Sequence, residues 1–259
     1  MNVVARRIAR ATIAFVVLLA SHSAAQDGHD ERLRVPFGVG ERLEYEVRFG
    51  ALRVGSGSME VAGLQQVRGR DAWHTVFTVR GGTFFYRVND RNESWIDVHT
   101  FNSLRFNQDL NEGSRDVERQ FEIFPERSVF SENGEAEQPS VANPLDDGSF
   151  LYFLRTIPLV VGETYSFQRY FRPDRNPVTI RVLRRERVSV PAGEFNAIVV
   201  QPVIKSKGIF SENGHAEVWL SDDANHIMLQ MKSGLSFGSI NLYLKSYRPA
   251  QAGATVKTP

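Results

Sequence analysis

Two pairs of adjacent acids, Asp146-Asp147 and Asp222-Asp223, and the histidines beyond residue 25, His29, His74, His99, His215 and His226, are the residues of this 259-residue chain best equipped for proton transfer or metal binding. A glycoside-type hydrolase needs two carboxyl groups facing each other across a cleft, one giving a proton and one accepting it or attacking. Here the acids stand side by side in sequence, which suits a helix start and a turn, where a carboxylate accepts hydrogen bonds from free backbone N–H groups. The histidines never fall at H-x-x-x-H spacing and there is no cysteine, so a zinc site would have to gather carboxylates from distant segments. Gly55-Ser56-Gly57-Ser58 lacks the Gly-x-Ser-x-Gly frame of a nucleophile elbow and reads as a tight turn. The sequence therefore predicts no catalytic residues, no metal and no cofactor, and a carboxylate-dependent hydrolase is the least favoured of three functional classes.

The aromatic residues point to a different chemistry, the burial of an apolar molecule. Phe84-Phe85-Tyr86 follows the double glycine Gly81-Gly82. Phe150, Phe153, Leu154 and Ile157 recur at i, i+3, i+4, i+7, one face of a helix opened by Asp146-Asp147 and closed by Pro158. Trp95 and Trp219 each lie two residues after a glutamate, Glu93 and Glu217, and so share its strand face, while Ile96 and Leu220 point to the other side. A strand with large apolar groups on both faces is covered on both. Phe84, Phe85, Tyr86, the four helix-face residues and the two tryptophans are the expected lining of a ligand site. They would serve equally as an ordinary core, which aromatics also dominate.

The elements that must position them are strands. Leu43, Tyr45, Val47 and Phe49 alternate with Glu44, Glu46 and Arg48, and Val178, Ile180 and Val182 alternate with Thr179 and Arg181, the period of half-buried antiparallel strands. Turn signals cut these runs at short intervals, among them Gly55-Ser56-Gly57, Arg68-Gly69, Asn133-Gly134, Pro191-Ala192-Gly193 and Asn213-Gly214; Asn-Gly favours a hairpin between adjacent strands. The unit also recurs. Val39-Gly40-Glu41 answers Val161-Gly162-Glu163, Asn89-Asp90 answers Asn213-Gly214, and Glu93-Ser94-Trp95-Ile96 answers Glu217-Val218-Trp219-Leu220. The identical Ser-Glu-Asn-Gly at 131–134 and 211–214 reads as independent choice of one hairpin turn. The expected fold is mostly β: antiparallel meanders in two similar halves, 39–124 and 161–248, whose curved sheets form a barrel or half-barrel around one central helix in segment 143–158.

Residues 1–25 read as a secretory signal, with Arg6, Arg7 and Arg10 before the short apolar run Ala11 to Ala20, and Ser23-Ala24-Ala25 as the cleavage site. Residues 26–35 are a loose polar linker, 36–249 the β-domain and 250–259 a tail with nothing to bury. The mature chain is then expected to be periplasmic or secreted, without a transmembrane segment. With no disulfides it stands on its own core, which suits a bacterial envelope protein. Its formal charge falls from +1 to −2 once the three leader arginines are gone, so a basic footprint for nucleic acid is absent. The cluster Arg181, Arg184, Arg185 and Arg187 reads as a solvated strand face with Glu186 interspersed.

In order and spacing, Leu151-Tyr152-Phe153-Leu154-Arg155, Gly162-Glu163, the run Glu186 to Phe195 (ERVSVPAGEF) and Val218-Trp219-Leu220-Ser221-Asp222-Asp223 resemble a bacterial envelope family known as domain of unknown function number 3108. Where its members commonly carry a proline after the Asp-Asp turn, this chain has Asn225-His226-Ile227. The resemblance implies a secreted, mostly β protein and brings no established catalytic or ligand residues. The leading functional expectation is a non-catalytic envelope protein holding a lipid or other apolar small molecule in the concavity of its sheets. A structural or protein-interaction component of the envelope, with another envelope protein as partner, is the alternative.

Overall fold

The computed structural model describes residues 33–82, 87–205, 216–235 and 238–251. The first run of strands is β1 (Arg42–Phe49), β2 (Leu52–Val67), β3 (Arg70–Gly82), β4 (Arg87–Asp97), β5 (Ser103–Glu112), β6 (Arg115–Phe124), β7 (Val129–Glu132) and β8 (Gln138–Pro139). Helix α1 (Asp147–Phe153) follows, then β9 (Thr164–Phe167), β10 (Val178–Val190), β11 (Gly193–Val203), β12 (Glu217–Ser221), β13 (Met228–Leu235) and β14 (Gly238–Arg248). The alternation read from β1 is realised: Leu43, Tyr45 and Val47 are buried while Glu44, Glu46 and Arg48 are half-buried on the other face. The hairpin at Asn133-Gly134 joins neighbours β7 and β8; the one at Asn213-Gly214 lies outside the described residues.

Apart from β8 and β9, strands consecutive in sequence pair antiparallel, and β1 also pairs with β14, so one sheet of 14 strands runs from β8 back to β1 and then from β14 back to β9. Its two edges are the short strands β8 and β9. They do not pair, and the architecture is a half-barrel rather than a closed barrel.

The segment between those edges bridges the seam. Pro144 carbonyl accepts from Ser103 N–H at 2.8 Å, Leu145 N–H donates to Arg169 carbonyl at 2.5 Å, and Leu145 carbonyl accepts from Phe171 N–H at 2.9 Å. The Phe171 ring lies 5.2 Å from Phe121 and 5.1 Å from Phe130, so residues after β9 are packed onto β6 and β7. Arg172 Nη2 reaches Glu132 Oε2 at 2.6 Å across the same seam. Charge and aromatic packing thus hold together what the backbone ladder leaves open.

Helix α1 is shorter than its apolar pattern. Asp146 caps it, Oδ1 accepting from Gly148 N–H and Ser149 N–H at 2.8 Å each while Ser149 Oγ accepts from Asp146 N–H, also at 2.8 Å. At the other end Thr156 Oγ1 donates to Phe153 carbonyl at 2.8 Å, and the N–H groups of Arg155 and Thr156 reach back three residues rather than four. The hydroxyl takes an acceptor that a further helical turn would have used, and the chain tightens out of the helix. Ile157, outside the helix, is still buried with Phe150, Phe153 and Leu154 in the main core.

The two Val-Gly-Glu stretches make the same local bonds. Gly40 N–H donates to Val61 carbonyl at 2.8 Å and Gly162 N–H to Val182 carbonyl at 2.9 Å; Val61 N–H and Val182 N–H return to the carbonyls of Glu41 and Glu163 at 3.0 and 2.9 Å. Both glycines have left-handed backbones, φ +84° and +92°, which explains the residue type. Trp95 stands on the fourth strand of the first run and Trp219 on the fourth strand of the second. Their indole N–H groups donate to Gln65 at 2.7 Å and Glu186 at 2.5 Å, each on the second strand of its run.

Candidate ligand-binding cleft

The helix-face residues come together as packing. Phe153 meets Phe101 at 5.9 Å and Phe167 at 5.1 Å, and the neighbouring Tyr152 meets Phe37 at 4.9 Å, all edge-on. Trp95 is placed elsewhere. It belongs to a small separate cluster with Val67, Ala72 and Leu104, while Ile96 of the same strand belongs to the main core. The His74 ring stacks on it at 4.6 Å and the Arg105 guanidinium lies 5.5 Å from its centroid. Trp219 is part of the main core and is flanked by Lys232 at 4.9 Å and Arg184 at 5.8 Å. Both strands are therefore covered on both faces, the outer cover being cationic and polar side chains. Phe84, Phe85 and Tyr86 lie outside the described residues.

Sequence reasoning gave no role to the clasp that seats the helix segment. Arg155 Nη1 and Nη2 reach Glu41 Oε1 and Oε2 at 2.6 and 3.0 Å, with both side chains 1% exposed. Arg155 also donates to the carbonyls of Asn225 at 3.0 Å and Pro36 at 2.9 Å. A guanidinium inside the apolar run from Leu151 to Leu159 was the available signal, because burial of an arginine requires a carboxylate and carbonyl acceptors.

Above the helix, at the end of the sheet carrying the β1–β2, β3–β4 and β5–β6 turns, the inner face changes character. The cross-strand pair Phe106 and Phe121, stacked at 5.8 Å, is its last fully buried aromatic pair on β5 and β6. The next pairs on that face are Gln108 with Arg119 and Leu110 with Val117, all half-buried. On β4 the same face carries Ser94, then Asn92, Asp90 and Val88. Gln108 Nε2 donates to Asn92 Oδ1 and to Asp147 Oδ2, each at 3.3 Å. Tyr170 OH donates to Asp147 Oδ1 at 2.9 Å, and Arg175 Nη1 donates to Tyr170 OH at 3.0 Å. The inner face here thus carries a hydrogen-bonded polar layer and, beyond it, the half-buried apolar residues Val88, Leu110 and Val117. The sequence offered Asp147 as a capping acid. Sequence reasoning gave no role to the remaining floor residues.

Carboxyl groups around this floor hold their protons tightly. Burial, reinforced by the charge of Glu112, lifts Asp90 to about 6. Burial also raises Asp147, against the opposing hydrogen bond from Tyr170. Asp146 rises to about 6, chiefly by burial and despite donors from Ser94 and Ser149. Because the folded chain binds these protons more strongly than the unfolded one, the resulting stability is present below the ordinary aspartate value and is lost as pH rises through about 6. Asp146→Asn keeps the capping oxygen and removes the titration. Urea midpoints for wild type should fall between pH 4 and 7 more steeply than for the variant; parallel curves would exclude Asp146 as a contributor.

Among the described residues no group of three or more His, Cys, Asp or Glu side chains converges as a metal site. None of the described helices is long and apolar enough to cross a membrane.

A half-barrel of sequential antiparallel strands packed on one short, clasped helix defines the class of protein. Within it, residues 44–245 match the family described as a protein of unknown function, DUF3108, and the chain belongs to that family. A crystal structure of a beta-barrel-like protein of domain of unknown function DUF1849 from Brucella abortus shares the fold, with TM-score 0.53 at 10% identity over 83% of this chain and 99% of that one. A Parabacteroides distasonis protein, provisionally described as a lipoprotein, aligns at 12% identity over 83% of this chain and 98% of its own with TM-score 0.37. None of the curated proteins compared matches the chain.

Proposed function

We propose that this protein is an exported, non-catalytic component of the bacterial envelope that holds a lipid or other apolar molecule in the cleft of its half-barrel. The observation carrying this reading is the inner-face strip Val88, Leu110 and Val117, half-buried beyond the packed core and bordered by Asn92, Gln108 and Asp147. An apolar wall with a few convergent polar groups is the usual composition of a small-molecule site. Export rests on residues 1–25, a basic start, a ten-residue apolar run and small residues at Ala25. The matching bonds at Gly40 and Gly162 support two similar halves, 39–124 and 161–248, joined through the helix segment. In this reading α1, with Phe150, Phe153, Leu154 and Ile157, floors the cleft.

The test is native mass spectrometry of protein taken from its own compartment, together with titration of an apolar fluorescent probe. Wild type should bind the probe saturably. Leu110→Glu should weaken binding about tenfold or more, as expected for loss of one buried aliphatic contact, with little change in Tm because Leu110 is only half-buried. Absence of both a co-purifying molecule and saturable binding would sink the carrier reading and leave a structural or protein-interaction component of the envelope in its place.

A further inference from the structure

Three segments meet at the seam around one guanidinium, that of Arg169, which follows β9. Its Nε donates to Asn143 carbonyl at 2.9 Å, and its Nη2 donates to Phe101 carbonyl at 3.2 Å and to Asn102 Oδ1 at 3.1 Å. Three of its five N–H donors are thereby spent on neutral oxygens, and Nη1 keeps both of its own with no acceptor among the described residues. The guanidinium also lies 4.9 Å from the centre of the Phe153 ring. Among the described arginines that are buried or half-buried, only Arg169 and Arg175 have no ion pair with a carboxylate, and Arg175 is linked to Asp147 through Tyr170 OH. The segments that surround Arg169, residues 98–104, 140–145 and 164–172, contain no acid. Burial, with nothing opposing it, lowers Arg169 to about 10. A second donor is left over beside it. Because Arg169 donates to the Asn102 amide, the amide oxygen must face the guanidinium, and Nδ2 remains as a donor with no partner among the described residues. Asn102 is only 4% exposed, yet neither its Nδ2 nor Arg169 Nη1 is among the polar atoms sealed inside without a partner, so both reach solvent.

We propose that Arg169 Nη1 and Asn102 Nδ2 bind a small oxyanion, a carboxylate or phosphate group, at the seam beside the β4–β5 turn. A cation held partly out of water by neutral acceptors alone is unfavourable, and an anion supplies the charge that the chain withholds. The three spent donors fix the guanidinium plane, so Nη1 is oriented before the anion arrives and little freedom is lost on binding. Asn102 adds a hydrogen bond without adding charge. The β4–β5 turn lies at the other end of β4 and β5 from Val88 and Leu110, so this site is separate from the proposed apolar one and stands whether or not that one is occupied.

Calorimetric titration of the purified protein with sodium acetate and with sodium phosphate tests it, sodium chloride at equal ionic strength being the comparison that removes screening. At least one oxyanion should bind saturably, and the tighter of the two tells carboxylate from phosphate. Arg169→Gln should weaken that binding about tenfold or more, the usual effect of losing hydrogen bonds to a charged group. Arg181→Gln, at an exposed arginine of β10 bonded to Gln201, should leave it unchanged. Asn102→Asp places a carboxylate oxygen where Oδ1 now stands, 3.1 Å from Nη2, and supplies the missing charge from within the chain. That variant should melt about 2–4 °C above wild type in buffer free of acetate and phosphate, and it should lose oxyanion binding. It also decides the matter if Arg169→Gln does not fold. No saturable binding of either oxyanion by wild type, or equal affinity in wild type and Asn102→Asp, overturns the proposal.

Discussion

Arg155→Met should destabilise the fold by about 3–5 kcal/mol, and Glu41→Gln by a comparable amount, although neither residue touches the cleft. Each side chain is 1% exposed, and the two share a bidentate contact at 2.6 and 3.0 Å. Removing one leaves the other charge buried with no counterion, and that penalty, rather than the worth of the pair itself, sets the cost. Removing Arg155 also orphans the carbonyls of Asn225 and Pro36, which would add to its loss. The double variant should therefore cost clearly less than the two single costs added together, with a coupling of about 2–3 kcal/mol in a urea-denaturation cycle. Additive single costs below about 1 kcal/mol each would mean that water reaches the pair and that the clasp holds nothing.

Phe150→Ala should cost about 3–5 kcal/mol, the usual range for deleting an aromatic ring from a site that cannot collapse around the void. Phe150 is fully buried, and the capping bonds of Asp146 and the clasp of Arg155 fix both ends of its segment. Phe153→Ala should behave similarly, because its ring is wedged edge-on between Phe101 and Phe167. The same samples decide where an apolar molecule binds. Large destabilisation with unchanged probe affinity in the surviving folded fraction puts the ligand above the helix, in the cleft. A small loss of stability with altered probe uptake would instead make the helix a lid and put the site beneath it.

Strands were legible because one face of each is buried and the other wet, as in Leu43, Tyr45 and Val47 against their charged neighbours. The helix was legible from its apolar period and its acidic start, although every residue from Gly148 to Phe153 is buried, but its end was not. That end depends on one hydroxyl, Thr156 to Phe153, which periodicity does not register. Trp95 shows a further limit: its strand has large apolar groups on both faces, and alternation alone does not say which face is the inner one. The Glu41–Arg155 pair spans 114 positions, so its partners are chosen by the closing of the sheet through β1 and β14 rather than by any local pattern. Sequence reasoning gave Asn92 and Gln108 no role; their register with Ser94 and Phe106 puts them on the inner face.

The pairing of β1 with β14 also governs how the molecule responds to mechanical load. Arg42 is paired with Arg248, and the two chain ends leave the ladder at the same end of the sheet, where Gln251 N–H still bonds Val39 carbonyl at 3.1 Å. Antiparallel ladder bonds lie perpendicular to the strands, so a pull on both ends opens them in turn, as a zipper opens, rather than shearing them together. Tension between the termini would part β1 from β14 first and separate the two runs of strands there. The sheet is weakest to traction where its covalent ends meet.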